Sequence, residues 1–106
     1  MEEYIHVLVS IDSEERAHAL QRLLVEERAA ACVQVFGPIS SAYWWQGQIE
    51  EAQEWLCLAK TCRRAYERLE SLIKENHPYE TPEIVAIPIV AGKKEYLAWI
   101  EAETRA

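Results

Sequence analysis

Residues 4–11, YIHVLVSI, form an almost unbroken apolar run rich in β-branched side chains, which predicts a first strand. The period then changes. Ala17, Leu20, Leu23 and Leu24 recur at helical spacing, so a helix is expected over about 14–28. Asp12 stands as its N-cap, with Glu15 three residues on in a variant of the capping box, and Glu14 and Glu15 suit the positive end of the helix dipole. Residues 30–36, AACVQVF, read as a second strand closed by Gly37-Pro38. Residues 39–45 and 48–60 read as a long hairpin about Gln46-Gly47, where glycine can take the positive φ of a tight two-residue turn. Such a turn sets Trp45 opposite Gln48, Trp44 opposite Ile49 and Tyr43 opposite Glu50. Helical spacing returns over 63–76, with Ala65, Leu69, Leu72 and Ile73 on one stripe, and His77-Pro78 stops it. The run EIVAIPIV at 83–90 is a last strand, whose Pro88 belongs on a sheet edge or at a bulge. A short helix over 93–103 follows, with Tyr96, Leu97 and Ile100 inward.

The order is β-α-β-β-α-β with a terminal helix. It predicts an α+β, ferredoxin-like antiparallel sheet carrying both main helices on one face, in a single domain over residues 1–106. A sheet covered on one side should be polar on the other. These strands are apolar on both. Ile5, Val7, Val9 and Ile11 share one face of the first strand, while Tyr4 and Leu8 lie on the other beside His6. The last strand divides into Val85, Ile87 and Ile89 against Ile84, Ala86 and Val90. In the hairpin, Tyr43, Trp45, Leu56 and Leu58 oppose Trp44, Ile49, Trp55 and Cys57. An aromatic side chain can bury roughly 150–250 Å². At about 25 cal/mol per Å², each one left in water forfeits several kcal/mol in rough terms. The terminal helix, about 15 Å long, can cover only part of that face. Contact with further copies of the chain is the better account, with Tyr43, Trp44, Trp45, Gly47 and Trp55 in the interface.

Composition narrows the partners. The net charge of −7 repels phosphates and argues against nucleic acid and anionic membranes. No apolar run approaches the roughly 20 residues needed to span a bilayer. The start, MEEYIHVL, is acidic and unlike a signal peptide. An odd count of three cysteines fits a reduced, cytoplasmic chain. With three glycines in all, no phosphate loop is legible, nor does any serine sit in a nucleophile motif, so an enzyme is not expected.

The runs AAACVQV, SAYWWQGQIEEAQEWLCLAKT, NHPYETPEIVAIPI and YLAWI resemble the CutA divalent-cation tolerance family, in order and over nearly the whole chain. The resemblance implies a cytoplasmic, ferredoxin-like homotrimer in which sheets from three subunits pack together and hairpin arms reach neighbouring subunits. The family's hairpin tyrosine, tryptophan and glycine fall on Tyr43, Trp45 and Gly47, with Trp44 at a variable position where a polar residue is common. Gln34 stands where the family usually has asparagine. The family's copper ligands, a cysteine in the first strand and two adjacent histidines, fall near Val9 and on Asn76 and His77, so only His77 is matched.

The loop NHPYETPE is the best candidate for chemistry. His77, Tyr79, Glu80 and Glu83 lie there between Pro78 and Pro82, and imidazole with carboxylates suits copper or zinc. The competing reading makes His77 a cap for the preceding helix, giving a donor to orphan carbonyls. Cys57 and Cys62, five residues apart in a strand, face opposite ways and cannot easily share an ion. Cys32 reads as a small core residue, His6 as an interface or core histidine and His18 as exposed. Glu50, Glu51 and Glu54 form an acidic cluster that is either solvated or a weak gatherer of cations. Two functional readings remain: a divalent-cation tolerance homotrimer that binds copper or zinc weakly, with a role in the response to metal ions; and a PII-like signalling or scaffold trimer holding a small molecule in clefts between subunits.

Overall fold

The structure is a computed structural model that describes residues 3–105. Strands β1 (Tyr4–Ile11), β2 (Cys32–Trp45), β3 (Gln48–Cys62) and β4 (Ile84–Pro88) form one sheet in the order β2-β3-β1-β4. Every neighbouring pair is antiparallel. Helices α1 (Glu14–Glu26), α2 (Tyr66–Glu75) and α3 (Lys94–Glu103) complete the α+β fold.

The odd positions of β1 make the core. Val7, Val9 and Ile11 are fully buried, and β3 sets Ala59, Cys57 and Trp55 opposite them. Leu20 and Leu24 of α1 and Leu69 and Ile73 of α2 pack onto this face, which places both helices on the same side. The helix stripes read from the sequence are the ones that pack on this face, with Leu23 and Leu72 half-buried at their margins.

The even positions form a second face, built in rows because cross-strand partners share a side. Phe36, Leu56 and Ser10 make one row; Gln34, Leu58, Leu8 and Val85 the next; Cys32, Lys60, His6 and Ile87 the third. α3 lies against one end of it. Lys60 Nζ sits 5.9 Å above the Tyr96 ring, and Thr104 Oγ1 contacts Cys62 Sγ at 3.5 Å. Arg64 donates to the Glu101 and Thr104 carbonyls, which are orphan acceptors at the α3 C-terminus. The rest of the face is open: Phe36, Val85 and Ile87 are 46%, 44% and 46% exposed.

Several sequence expectations are corrected. The N-cap of α1 is Ser13, whose Oγ accepts from Arg16 N–H at 3.0 Å, and not Asp12. A hydroxyl one residue later reaches the third helical N–H, which the geometry of a cap requires. Ser13→Ala should therefore cost about 1 kcal/mol in urea unfolding and Asp12→Ala less than half of that; equal costs would return the cap to Asp12. α1 ends at Glu26, because Arg28 takes a φ of 56° and turns the chain.

β2 does not stop at Gly37-Pro38. It runs on to Trp45 through a register shift between Phe36 and Ile39, so the second strand and the first arm of the hairpin are one strand. The one extra residue on β2 is taken up as a bulge, and β3 keeps its pairing on both sides of it. The helix expected from 63 opens as a 3-10 turn, Arg63–Ala65, before α2. β4 is shorter than expected and lies on the sheet edge, where Pro88 costs no ladder bond. In α3, Ile100 is fully buried, but Tyr96 is 39% exposed and turned toward the open face rather than inward. Cys32 likewise lies half-buried on the open face, opposite Lys60, and not in the core.

The hairpin registers as expected, with Trp45 opposite Gln48, Trp44 opposite Ile49 and Tyr43 opposite Glu50. Gln46 and Gly47 take φ of 50° and 80°, the paired positive values of a type I′ turn. β2 and β3, at 14 and 15 residues, carry this arm beyond the helices and give the chain its 45 Å length against 26 and 22 Å across.

Candidate functional site

Where the arm leaves the sheet, the end of β1, the arm itself and the 76–83 loop enclose a cleft of about 850 Å³. Each wall has a local cause. The even residues of β3 carry Glu50 and Glu54 into it, β2 brings Tyr43 and Trp45, and the loop after α2 brings Tyr79, Glu80 and Glu83. Ser10 forms the floor, one residue past the last rung between β1 and β4.

The loop is fastened at three points. Tyr79 Oη donates to Glu54 Oε2 at 2.7 Å, Ser10 Oγ donates to Glu83 Oε1 at 3.4 Å, and His77 Nε2 lies 2.7 Å from the Ser10 carbonyl oxygen. Glu54, only 5% exposed, is thus no member of a solvated acidic cluster with Glu50 and Glu51. Burial first, and then the hydrogen bond to Glu54, hold the Tyr79 phenol well above the ordinary tyrosine range. It stays a donor at neutral pH. Tyr79→Phe leaves the buried carboxylate without that donor and should lower stability by about 1–3 kcal/mol in urea unfolding. Adding Glu54→Gln should recover part of the loss, and a cost for Tyr79→Phe below about 0.5 kcal/mol would show that the bond carries nothing.

The loop thus gathers three of the expected residues at the cleft, Tyr79, Glu80 and Glu83, and ties His77 to its floor. His77 does not cap α2. Asn76 occupies the C-cap, and its amide donates to the Leu72 carbonyl. Among the arm residues, Tyr43, Trp44 and Trp45 are exposed in the chain, Trp44 by 73%. Trp55 differs: it pairs with Ile11 and packs on this chain's own core.

The thiols stand apart. Cys57 donates to the Ala17 carbonyl on the helix side, and burial pushes it up to about 11, whereas Cys62 meets Thr104 on the other face. His6, half-buried on the open face, is held below the ordinary histidine range by burial and then by Lys60. Exposed His18 bonds Gln21 on α1. Among the described residues no three of His, Cys, Asp and Glu stand close enough to hold one ion. The residues present therefore do not fit a closed copper or zinc site within one chain.

What the cleft offers is negative potential beside aromatic faces, with Glu50, Glu54, Glu80 and Glu83 on its walls and, among the described residues, no Lys, Arg or His lining it. Sequence reasoning passed over Ser10 and the pairing of Tyr79 with Glu54. One sign was available: Glu54 shares its strand face with Leu56 and Leu58.

Known proteins resemble the chain throughout. The sequence profile of the CutA1 divalent ion tolerance protein matches residues 5–103. A divalent-cation tolerance protein CutA from Thermus thermophilus is 47% identical over 98 residues, covering 92% of this chain and 95% of that protein. The solved divalent cation tolerance protein (Cut A1) from the same organism has a TM-score of 0.94 at 45% identity, over 96% of this chain and 99% of that one. An Archaeoglobus fulgidus structure, described as the periplasmic divalent cation tolerance protein CutA, has a TM-score of 0.93 at 37% identity, over 96% and 99% of the two chains.

Proposed function

This chain belongs to the CutA1 divalent ion tolerance protein family, and from that premise we propose that it works as a homotrimer in the cellular response to divalent metal ions. The open sheet face carries the reading. Phe36, Val85 and Ile87 are nearly half exposed beside half-buried Leu8, Leu56 and Leu58, with Tyr96 and Trp99 on the flank. Fully burying one such side chain is worth about 1.5–3 kcal/mol. A contiguous apolar face of this kind in water is the mark of an interface. In the trimer three of these faces pack together, and the arms, with Tyr43, Trp44, Trp45 and Gly47 near their tips, reach across to neighbouring copies.

Cation contact in this reading is weak. The carboxylates Glu50, Glu54, Glu80 and Glu83 concentrate divalent ions such as copper or zinc near the arm without enclosing one. The family is named for tolerance and not for a reaction, which supports a binding and assembly role rather than an enzymatic one. The acidic balance supports a partner set without nucleic acid. Among the described residues no helix is long and apolar enough to cross a membrane. The odd cysteine count supports the cytoplasm, whereas the Archaeoglobus protein is described as periplasmic.

Sedimentation equilibrium is the test. The expected mass is three times the 12.3 kDa of the chain, and a stable single copy would end the reading. The aromatic-walled cleft favours one further reading, a PII-like trimeric regulator that holds a small molecule between subunits, with this cleft as one wall of the site. A thermal-shift screen separates the two, since stabilisation by metabolites and not by copper or zinc selects the regulator.

A further inference from the structure

The position of His77 follows from where β4 begins. Tyr4 accepts from Ile89 N–H, so the even-numbered carbonyls of β1 face β4. β4 starts at Ile84, opposite Val9, which leaves the Ser10 carbonyl one step past the last rung. His77 Nε2 stands 2.7 Å from that oxygen. A carbonyl only accepts, so Nε2 carries the ring proton and donates. Nδ1 then holds a lone pair, and the Tyr79 backbone N–H donates to it at 3.1 Å. The imidazole also stands edge-on to the Tyr79 ring, with centroids 4.7 Å apart.

Every hydrogen-bonding position of a neutral imidazole is thus used inside the chain. A cation at Nδ1 has to displace the Tyr79 N–H. At Nε2 it has to displace a proton and leave the Ser10 carbonyl unpaired, at a cost typical of a lost buried bond. The neighbouring positions offer no help: Asn76 gives its amide to Leu72, and Val9 is apolar and fully buried.

We propose that His77 is a positioning residue and not a cation ligand: it pins the 76–83 loop to the end of β1 and so aims the Tyr79 hydroxyl at Glu54. The pin lies within one chain, so it does not depend on the assembly argued above. Cations that the protein takes up are taken by its carboxylates, without this nitrogen.

Two substitutions separate the roles. His77→Ala removes both bonds. His77→Gln keeps an amide N–H within reach of the Ser10 carbonyl, but an amide nitrogen is no ligand for copper or zinc. Calorimetric titration of the full chain with Cu²⁺ and with Zn²⁺ should give affinities that agree within about twofold among wild type, His77→Ala and His77→Gln; no measurable heat in any of them agrees equally. A loss of about tenfold or more in either variant overturns the proposal. The second readout is the side-chain resonance of Tyr79 in carbon-13-tyrosine-labelled protein, assigned with Tyr79→Phe. His77→Ala should move it to the value of a free phenol, and His77→Gln should hold it near wild type. An unmoved resonance in His77→Ala overturns the pin. Should His77→Ala not fold, His77→Gln still decides, through retained or lost metal affinity.

Discussion

A chain carrying Val85→Asp should sediment at the 12.3 kDa of a single copy, where wild type, as the proposed trimer, should sediment at three times that mass. Val85 pairs with Leu8, which pairs with Leu58, in the middle row of the open face. In the lone chain it is 44% exposed, so a carboxylate there stays hydrated and the fold survives. In the proposed trimer the same carboxylate would be buried without a partner, which costs about 3–5 kcal/mol per site. That is roughly a hundred- to several-thousandfold in association at each site, and three sites are struck at once. Ile87→Asp, one row over, should behave alike, while Val25→Asp, on an exposed position of α1, should leave the trimer intact. Far-UV dichroism checks that each variant remains folded. Persistence of a trimer in Val85→Asp would place the interface on some other surface.

The second large effect is expected at Gly37, in the bulge of β2. Its φ of 151° is one that side chains other than glycine rarely adopt. A Cβ there would stand 2.8 Å from Trp55 Cδ1 and 3.0 Å from the Glu54 carbonyl oxygen. The indole can yield only by leaving the core on which it packs, and the carbonyl belongs to the strand backbone, so no rotamer relieves the clash. Overpacking costs about 1–3 kcal/mol and the backbone strain a similar amount. Gly37→Ala should therefore lose roughly 2–6 kcal/mol of stability, summing those two costs, and Gly37→Val should lose more. Gly47→Asn is the control, because nothing lies within 4 Å of its Cβ and asparagine tolerates the left-handed turn. Denaturation must be compared at one protein concentration, since assembly adds to apparent stability. A Gly37→Ala cost below about 0.5 kcal/mol would mean that the bulge is soft and the close approach unimportant.

These two sites also show how far the chain's pattern could be followed. The hairpin register was legible to the residue. Gln46-Gly47 fixes one rung, and the strand period of two then assigns each pair back to the bulge. The core stripe of α2 and of the turn before it was legible for the same kind of reason, since Ala65, Leu69 and Ile73 repeat at a helical interval. Gly37-Pro38 misled because it carries a stop signal in isolation. Only pairing with β3 on both sides of the bulge keeps β2 in the sheet through it. Asp12 and Ser13 are both good caps, and the choice fell to Ser13, whose oxygen meets Arg16 N–H.

The candidate site was legible only as a set of residues, not as an arrangement. Tyr79, Glu80 and Glu83 were singled out with His77 from their types and their prolines. The sequence proposed a ligand or a helix cap for His77, and the fold gave it neither capping role nor a free nitrogen. Its partner lies 67 residues away, and the partner of Tyr79 lies 25 away.

Local periodicity, turn chemistry and strand alternation determined the element order, the arm's register and the apolar second face, because each depends on residues a few positions apart. The tertiary structure alone decided that α3 screens just one end of that face, that Trp55 turns into the chain's own core, and that His77 answers the carbonyl where β4 begins. Those outcomes depend on where strands start relative to one another in space, and short-range patterns of polarity do not carry that information.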